Sequence, residues 1–301
     1  MQKVLKILIL GENAENDYNV IDHFKKLIMF IDTHCHLSME PLNSRINQVI
    51  QTADSDFVKK MVTMGTNYED SIAASKIALE NESVYFSVGY HPEECMRKTL
   101  ENAKKEFENI MKIPIDSNCI AIGEVGLDNR WLDYITESEF NGDEEKKSIA
   151  DNVQSEIFRM SLKWALDIDL PVIIHCRESE EYMYPILNNF AKNGGRGVLH
   201  SYTGNSDFML EFINRGWFVS FNGIITFKNG QNVRDLLKLV PPDKVLLETD
   251  APFLAPDPFR GQVCEPKHVV EVYKKASNIM DIDITDLEVI VEQNYLTLFG
   301  R

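Results

Sequence analysis

Short apolar runs rich in β-branched residues recur along the chain, and most are followed by a longer segment with helical periodicity, such as Gln154–Leu166 or Asn232–Leu239. Because the runs are almost continuously apolar, we expect strands buried on both faces, as in parallel sheets. Eight strand–helix repeats in about 270 residues predict a (β/α)8 TIM barrel of the α/β class rather than an open doubly wound sheet. The predicted strands are Met29–Thr33, Met61–Gly65, Val84–Gly89, Ile120–Glu124, Pro171–His175, Gly197–His200, Trp217–Phe221 and Lys244–Glu248.

The chain is predicted to form a single barrel domain over residues 29–301, preceded by an N-terminal extension of residues 1–28. The extension contains an apolar run, but Lys6 and Glu12 interrupt it and no small-residue cleavage site follows, so it does not fit a signal peptide. No apolar stretch approaches the roughly 18 residues that a membrane-spanning helix needs. We therefore expect no membrane association.

Residues 129–152 lengthen the repeat that follows the fourth predicted strand, and this segment is polar and rich in Asp and Glu. We interpret it as an insertion in the loop or helix after that strand. In a TIM barrel, the connections that follow the strands lie at the catalytic face. The insertion is therefore expected either to border the mouth of a site or to form a solvated excursion.

The net charge of the chain bears on which partners it can bind. The 301 residues include 31 Lys and Arg against 47 Asp and Glu, a net charge of −16, which argues against binding nucleic acid through a broad basic face. A small site that acts on phosphates through bound cations stays compatible with this charge. The five cysteines form no CxxC pair, and their number is odd. We expect reduced thiols and a cytoplasmic protein, with the nucleus as the alternative.

Histidines and carboxylates cluster where the predicted strands end, which is the strongest chemical signal in the sequence. Because the carboxyl ends of parallel barrel strands converge on one mouth, residues far apart in sequence are expected to meet there. Five of the seven histidines lie at such positions, together with one Glu and one Asp: His34, His36, His91, His175, His200, Glu124 and Asp250.

Two of these histidines lie two residues apart in one strand. His34 and His36 point the same way, since side chains alternate along a strand, and two imidazoles on one face can share a metal ion. Taken alone, the pair is more often two packed or surface histidines. Glu124 lies between glycines in a buried strand, where a carboxylate is costly unless it is paired or bound to metal. A buried ion pair is the alternative for this residue.

The other candidate residues also lie at or near the ends of predicted strands. His175 and His200 each end an apolar strand one repeat apart, which favours ligands over two hydrogen-bonded core histidines. Asp250 is expected both to bind metal and to accept a proton from water, with a strand-end cap as its alternative. Cys176 should point away from His175 and is interpreted as packing, and Glu248 as a member of a structural ion pair.

These residues form two ligand sets that share Glu124 as a bridge. His34, His36, Glu124 and Asp250 suit one cation, and Glu124, His175 and His200 suit a second. Two ions about 3.5–4 Å apart would generate a hydroxide and stabilise a hydrolytic transition state, so Glu124 and Asp250 are the expected catalytic carboxylates. Mixed nitrogen and oxygen ligands favour zinc, manganese or iron over magnesium.

The ordered set of motifs resembles the TatD family of metal-dependent deoxyribonucleases, within the amidohydrolase-type barrel superfamily. The resemblance runs from about residue 30 to 300 and includes IDTHCHL at 31–37, VGYHP at 88–92, IGEVGLD at 122–128, IIHCR at 173–177, LHSYTG at 199–204, VSFNGIITFKN at 219–229 and LLETDAPFLAP at 246–256. It implies a (β/α)8 barrel, the six metal ligands named above, and two divalent ions, usually Mg²⁺ with Zn²⁺ also accommodated. It also implies hydrolysis of DNA phosphodiesters, often from the 3′ end.

The resemblance extends to phosphate recognition. His91 matches the family histidine after the third strand and is a candidate phosphate contact, and Arg177 and Lys228 are expected to help hold phosphates. Ordinary salt bridges are the alternative for both basic residues. The chain departs from the family pattern at Asn129-Arg130-Trp131, where an aromatic residue often follows the GLD motif, and at residues 261–266, where a basic residue and an Asn are replaced.

The motifs and the ligand set are compatible with three functions. The leading prediction is a metal-dependent deoxyribonuclease, a 3′–5′ exonuclease acting on single-stranded DNA or 3′ ends with Mg²⁺, Zn²⁺ or Mn²⁺. The alternative is a hydrolase of a non-nucleic-acid ester, lactone or amide, because related barrels use the same ion pair on different substrates. The third is a metal-binding protein without turnover, which the complete ligand set disfavours. No obligate protein partner is expected.

Overall fold

In a computed structural model that describes residues 29–300, eight parallel strands lie side by side in chain order. Seven parallel ladders join them from first to last. The predicted TIM barrel is thereby confirmed, whereas the predicted extension, residues 1–28, lies outside the described residues. The strands are β1 Phe30–Cys35, β2 Val58–Thr63, β3 Val84–Val88, β4 Cys119–Asp128, β5 Val172–Arg177, β6 Gly197–Leu199, β7 Phe218–Phe221 and β8 Val245–Leu247.

One or two helices follow each strand and surround the barrel. None of the helices within residues 29–300 is both long and apolar enough to cross a membrane. The helices are α1 Ile46–Ser55, α2 Tyr68–Glu80, α3 Pro92–Cys95, α4 Leu100–Ile110, α5 Asn129–Ser138, α6 Glu144–Asp167, α7 Glu180–Lys192, α8 Ser206–Ile213, α9 Gln231–Leu239, α10 Val269–Met280 and α11 Ile284–Phe299, with short 3-10 turns at Asn43–Arg45, Gly223–Thr226, Pro242–Lys244 and Pro266–His268.

The barrel closes between β1 and the residues that follow β8. The amide of Asp250 donates to the His34 carbonyl at 2.9 Å, and the amide of His36 donates to the Ala251 carbonyl at 2.7 Å. Beneath these bonds, the buried Asp32 carboxyl group accepts from the Thr249 amide at 2.8 Å and from the Thr249 hydroxyl at 2.6 Å. This closure holds the first and last strands together at the end of the barrel that carries the histidines.

Strand β4 is longer than predicted and does not end at Glu124. Its pairing with β5 shifts between Ile122 and Val125, so three residues of β4 span two of β5. Such a bulge turns a side chain without ending the strand. The expectation that Glu124 ends its strand is therefore wrong: Glu124 lies in the bulge, and the strand continues to Asp128.

The polar segment 129–152 is helical rather than a loop. It comprises α5, a short turn and the beginning of α6, so the helix predicted over Gln154–Leu166 starts ten residues earlier, at Glu144. The side chain of Asp143 caps α6 by accepting from the amides of Glu145 and Lys146. Acidic residues at a helix N-terminus satisfy free amides and the helix dipole, which explains why this acid-rich stretch begins a helix.

Packing in the core follows the expected parallel-sheet pattern. All residues of β1 and β4 are buried. All five cysteines are buried as free thiols, as expected.

A glycine allows β4 and β5 to approach each other closely. Gly126 of β4 faces His175 of β5, and a Cβ atom at this glycine would lie 1.8 Å from the His175 carbonyl oxygen. The glycine therefore permits the close strand approach that brings the two motifs together.

We expect Thr249→Val to destabilise the protein by about 1–3 kcal/mol, because it removes the hydroxyl donor to buried Asp32. The Thr249 hydroxyl also accepts from the Ala251 amide, which the substitution would leave unpaired. Urea unfolding measures the change. Thr297→Val removes an exposed hydroxyl that bonds only within α11 and serves as the matched control. Equal stability of the two variants would contradict the importance of this closure.

Candidate metal centre

Five strands and the residues that directly follow them supply the six predicted ligand side chains. His34 lies within β1 and His36 immediately after it, while His175 lies within β5 and His200 follows β6. Asp250 follows β8 with a left-handed backbone, φ 60°, a conformation that Asp adopts more readily than most residues. The structure thus brings together all six side chains from segments up to 216 residues apart in sequence.

Four of these side chains direct one atom each at a common point. The Nε2 atoms of His34 and His36 are 3.3 Å apart. Oε2 of Glu124 lies 3.4 and 3.7 Å from these two nitrogens, and Oδ1 of Asp250 lies 3.6 and 3.3 Å from them. Four ligands about 2.0–2.1 Å from a tetrahedral cation lie roughly 3.3–3.4 Å from one another. The spacing and the chemistry of this set fit a divalent metal.

The second oxygen of Glu124 faces the other histidines. Its Oε1 lies 2.7 Å from Nδ1 of His175 and 2.8 Å from Nε2 of His200. The rings of His34 and His200 stack with centroids 3.9 Å apart, so the two groups are in direct contact. Glu124 therefore divides its two oxygens between the two sets. The first set has the spacing of metal ligands, and the second is joined by hydrogen bonds.

Two carboxylates that sequence reasoning did not assign to the site orient the second set. Asp128 Oδ2 lies 2.7 Å from Nε2 of His175, and Glu248 Oε1 lies 3.2 Å from Nδ1 of His200. Each carboxylate holds the ring so that the other nitrogen faces Glu124, as carboxylates do behind metal-bound histidines. Glu248 is thus paired as predicted, but it follows β8 and its partner belongs to the site.

The sequence contained a signal for one of these carboxylates. Asp128 lies four residues after Glu124 in the same strand, and residues separated by an even number share a face. The pairing of Glu248 with His200 was harder to predict from the sequence, because it depends on the contact between the ends of β6 and β8. Ser220 completes this arrangement by donating its hydroxyl to Glu248 Oε2 at 2.5 Å.

The buried cluster strongly perturbs its ionisable groups. Burial raises the pKa of Glu124, but the charges of His200 and His91 and the hydrogen bonds of the histidines outweigh it and hold the pKa well below the usual value. Burial lowers the pKa of His175, yet its hydrogen bonds to Asp128 and Glu124 raise it to about 9. Glu124 is accordingly ionised at neutral pH, which a metal-binding carboxylate requires.

His91 contacts the second set but differs from its members. Its Nε2 lies 3.3 Å from Glu124 Oε1 and 3.2 Å from His175 Nδ1, close enough for the three residues to hold an ion. Its Nδ1, however, accepts a hydrogen bond from the Glu93 amide at 3.2 Å. That bond places the proton of a neutral imidazole on Nε2, which makes His91 a donor toward the cluster rather than a ligand.

A cleft of about 580 Å³ opens above the cluster. Arg130, Trp131 and Tyr134 of α5 line it, so the segment that follows β4 borders the mouth. Arg177 also lines the cleft, whereas Lys228 is exposed and does not line it. Cys176, interpreted above as packing, is buried and its thiol contacts the Ser179 hydroxyl at 3.6 Å, but it also lines the cleft.

Comparisons with known proteins agree with this geometry. The family model "TatD related DNase" matches residues 31–300. The uncharacterized metal-dependent hydrolase YabD of Bacillus subtilis strain 168 is 30% identical over 271 residues, which cover 90% of this chain and 99% of YabD. The 3′-5′ ssDNA/RNA exonuclease TatD of Shigella flexneri serotype 5b is 29% identical over 260 residues, 84% of this chain and 92% of that protein.

Among solved structures, the TatD homologue YjjV from Escherichia coli K12 superposes with a TM-score of 0.75 at 26% identity. The match covers 90% of this chain and 98% of that structure. The family model, the relatives and the solved structure each span most of the barrel. The chain therefore belongs to the TatD-related DNase family and is a metal-dependent hydrolase.

Proposed function

We propose that this hydrolase is a deoxyribonuclease that removes nucleotides from the 3′ end of single-stranded DNA with the help of two divalent ions. The division of the two Glu124 oxygens between two groups of imidazoles carries the proposal, because a bridged pair of ions suits phosphodiester hydrolysis. The similarity to a relative named as a 3′-5′ ssDNA/RNA exonuclease supports the choice of substrate.

Each ligand set has a defined task in this proposal. His34, His36 and Asp250 would hold one ion and His175 and His200 the other, with Glu124 shared between them. When bound, the two ions would acidify a water molecule and neutralise charge on the phosphate. Asp128 and Glu248 keep the imidazoles of the second set oriented. The two nitrogen and two oxygen ligands of the first set favour Zn²⁺ or Mn²⁺ over Mg²⁺.

Asp250 is the proposed general base. Burial raises the pKa of its carboxyl, but the hydrogen bond with His36 and the neighbouring histidine charges hold the pKa below the usual value. The group is therefore ionised at neutral pH and able to accept the proton of the attacking water. Its position at the edge of the cleft gives it access to substrate.

Phosphate oxygens are proposed to bind beside the cluster. His91 and Arg177 both line the cleft, and Nη1 of Arg177 donates to the Thr203 hydroxyl at 2.6 Å. Lys228 lies farther out and would contact the strand only outside the cleft. The buried free thiols favour a reducing compartment, so we place this activity in the cytoplasm or nucleus.

The substrate class can be tested directly. We expect the metal-loaded protein to shorten 5′-labelled single-stranded DNA stepwise from its 3′ end, and a chelator to stop the reaction. A panel of carboxylic esters, lactones and amides is assayed in parallel. Rapid turnover of one of these compounds, with the DNA left intact, would favour the alternative hydrolase and exclude the nuclease.

Substitution of the shared carboxylate tests the metal assignment. Glu124→Gln should weaken both ions, because a neutral amide does not bridge two cations as a carboxylate does, while His175→Ala should mainly weaken the second. Metal content after dialysis measures both effects. Glu288→Gln, which alters a buried Glu that is far from the cluster in sequence and accepts from the Met29 amide, is the control. Retention of two ions at wild-type affinity by Glu124→Gln would exclude bridging.

Asp250→Asn keeps an oxygen ligand but removes the proton acceptor. We expect kcat to fall by about 10²–10⁴-fold, with a smaller change in DNA affinity. Both are measured on folded, metal-loaded protein. Asp281→Asn makes the same change at another residue with a left-handed backbone, φ 54°, and should keep wild-type kcat. A near-wild-type kcat for Asp250→Asn would move the base to another group.

A further inference from the structure

A second cavity of about 520 Å³ adjoins the cleft above the cluster. The two cavities are neighbours that share Cys176, Arg177, Ile224 and Leu254 in their linings. Beyond these shared residues the second cavity contains Arg260 and Phe227, neither of which lines the first. Neither the metal ligands nor the proposed base extends into it.

Two guanidinium groups in this cavity lack a carboxylate partner among the described residues. Arg260 stacks on Phe227, with its Cζ 3.5 Å from the ring centroid. Arg177 is held through the Thr203 hydroxyl rather than through an ion pair. In a chain of net charge −16, most other arginines pair with Asp or Glu, for example Arg97 with Glu139. The two cavity arginines are therefore available to an anionic ligand.

The carboxylates that border the cavity are engaged elsewhere. Glu178 Oε1 lies 4.0 Å from Nη1 of Arg130. Glu180 Oε1 accepts from the Asn205 amide at 3.0 Å and packs so closely on Gly204 that a Cβ atom there would lie 1.8 Å from it. Neither carboxylate forms an ion pair with Arg177 or Arg260, so the two guanidiniums keep their N–H groups available to a ligand.

The orientation of Arg260 suits a tetrahedral anion. Stacking on an aromatic ring fixes the guanidinium plane but leaves its N–H edge free for two parallel hydrogen bonds, the geometry in which Arg binds phosphate. Neutral side chains that can also donate, those of Asn229 and Asn232, line the same cavity. The cavity therefore offers charge, donors and room in one place.

We propose that this cavity is a second anion site, which binds the phosphate next to the scissile one through Arg260 and Arg177. The inference rests on the proposed nuclease function and specifies its substrate further. The preferred substrate is then a chain with at least two successive phosphodiesters. A small diester has one phosphate only, so it occupies the cleft over the cluster and makes no contact with Arg260.

The charge of that phosphate can be removed from the substrate itself. We compare wild-type cleavage of the 3′-terminal linkage in oligonucleotides that carry one neutral methylphosphonate, at either the second or the fifth linkage from the 3′ end. We expect kcat/KM to fall by about tenfold for the second linkage, because a charge-assisted bond is lost, and to change little for the fifth. Equal values for the two substrates would overturn the second anion site.

Arg260→Gln tests the protein side of the same contact. Its loss of kcat/KM on the unmodified oligonucleotide should exceed its loss on bis(p-nitrophenyl) phosphate by about tenfold, and the methylphosphonate at the second linkage should cause a smaller further loss than in the wild type, because only the contact with Arg177 is left. Arg159→Gln removes an exposed charge outside both cavities and should affect the two substrates equally.

The outcomes separate this inference from the function on which it rests. Hydrolysis of bis(p-nitrophenyl) phosphate without any cleavage of the oligonucleotide by the wild-type protein would overturn both the nuclease and the second anion site. Cleavage of the oligonucleotide with equal losses on both substrates in Arg260→Gln would leave the nuclease in place and overturn the second anion site alone.

Discussion

The hydrogen bonds between buried Asp32 and Thr249 join the first strand to the segment that follows the last. A barrel built from sequential parallel strands has one seam to close, and here the seam runs through the first ligand set. His34 and Asp250 lie on opposite sides of it and are linked by a backbone hydrogen bond. Barrel closure and the spacing of the first set of candidate metal ligands are consequently one structural requirement rather than two.

A second requirement is the bulge in β4. Because Glu124 lies in the bulge rather than at a strand end, its carboxylate projects between the two histidine groups while the strand continues to Asp128. That continuation places Asp128 behind His175, as Glu248 is placed behind His200. One strand therefore supplies both the shared carboxylate and the group that orients one of its neighbours.

The sequence predicted the barrel and its convergent histidines because strand–helix alternation and continuous apolar runs can be recognised locally. A barrel of parallel strands is the fold that eight such repeats commonly form. It placed the end of β4 too early, since a bulge depends on how β4 and β5 pair and not on β4 alone. The start of α6 was missed for a different reason: Asp143 and the acids after it resemble a solvated loop until their capping role is seen. The pairing of Glu248 with His200 was missed because it depends on how two strand ends pack, and these residues are 48 apart in sequence.

The charge distribution bears on how such a protein would use DNA. Binding to the side of a duplex or a long strand gains free energy by neutralising many phosphates, and an acidic surface forgoes most of that gain. Here the cationic groups near the site are few, and they lie in or beside the cleft, where Arg177 lines both cavities. A strand that inserts its end gains from these groups, whereas a strand lying across the surface meets mainly negative charge. Under the proposed function, this contrast favours action at ends over internal cleavage.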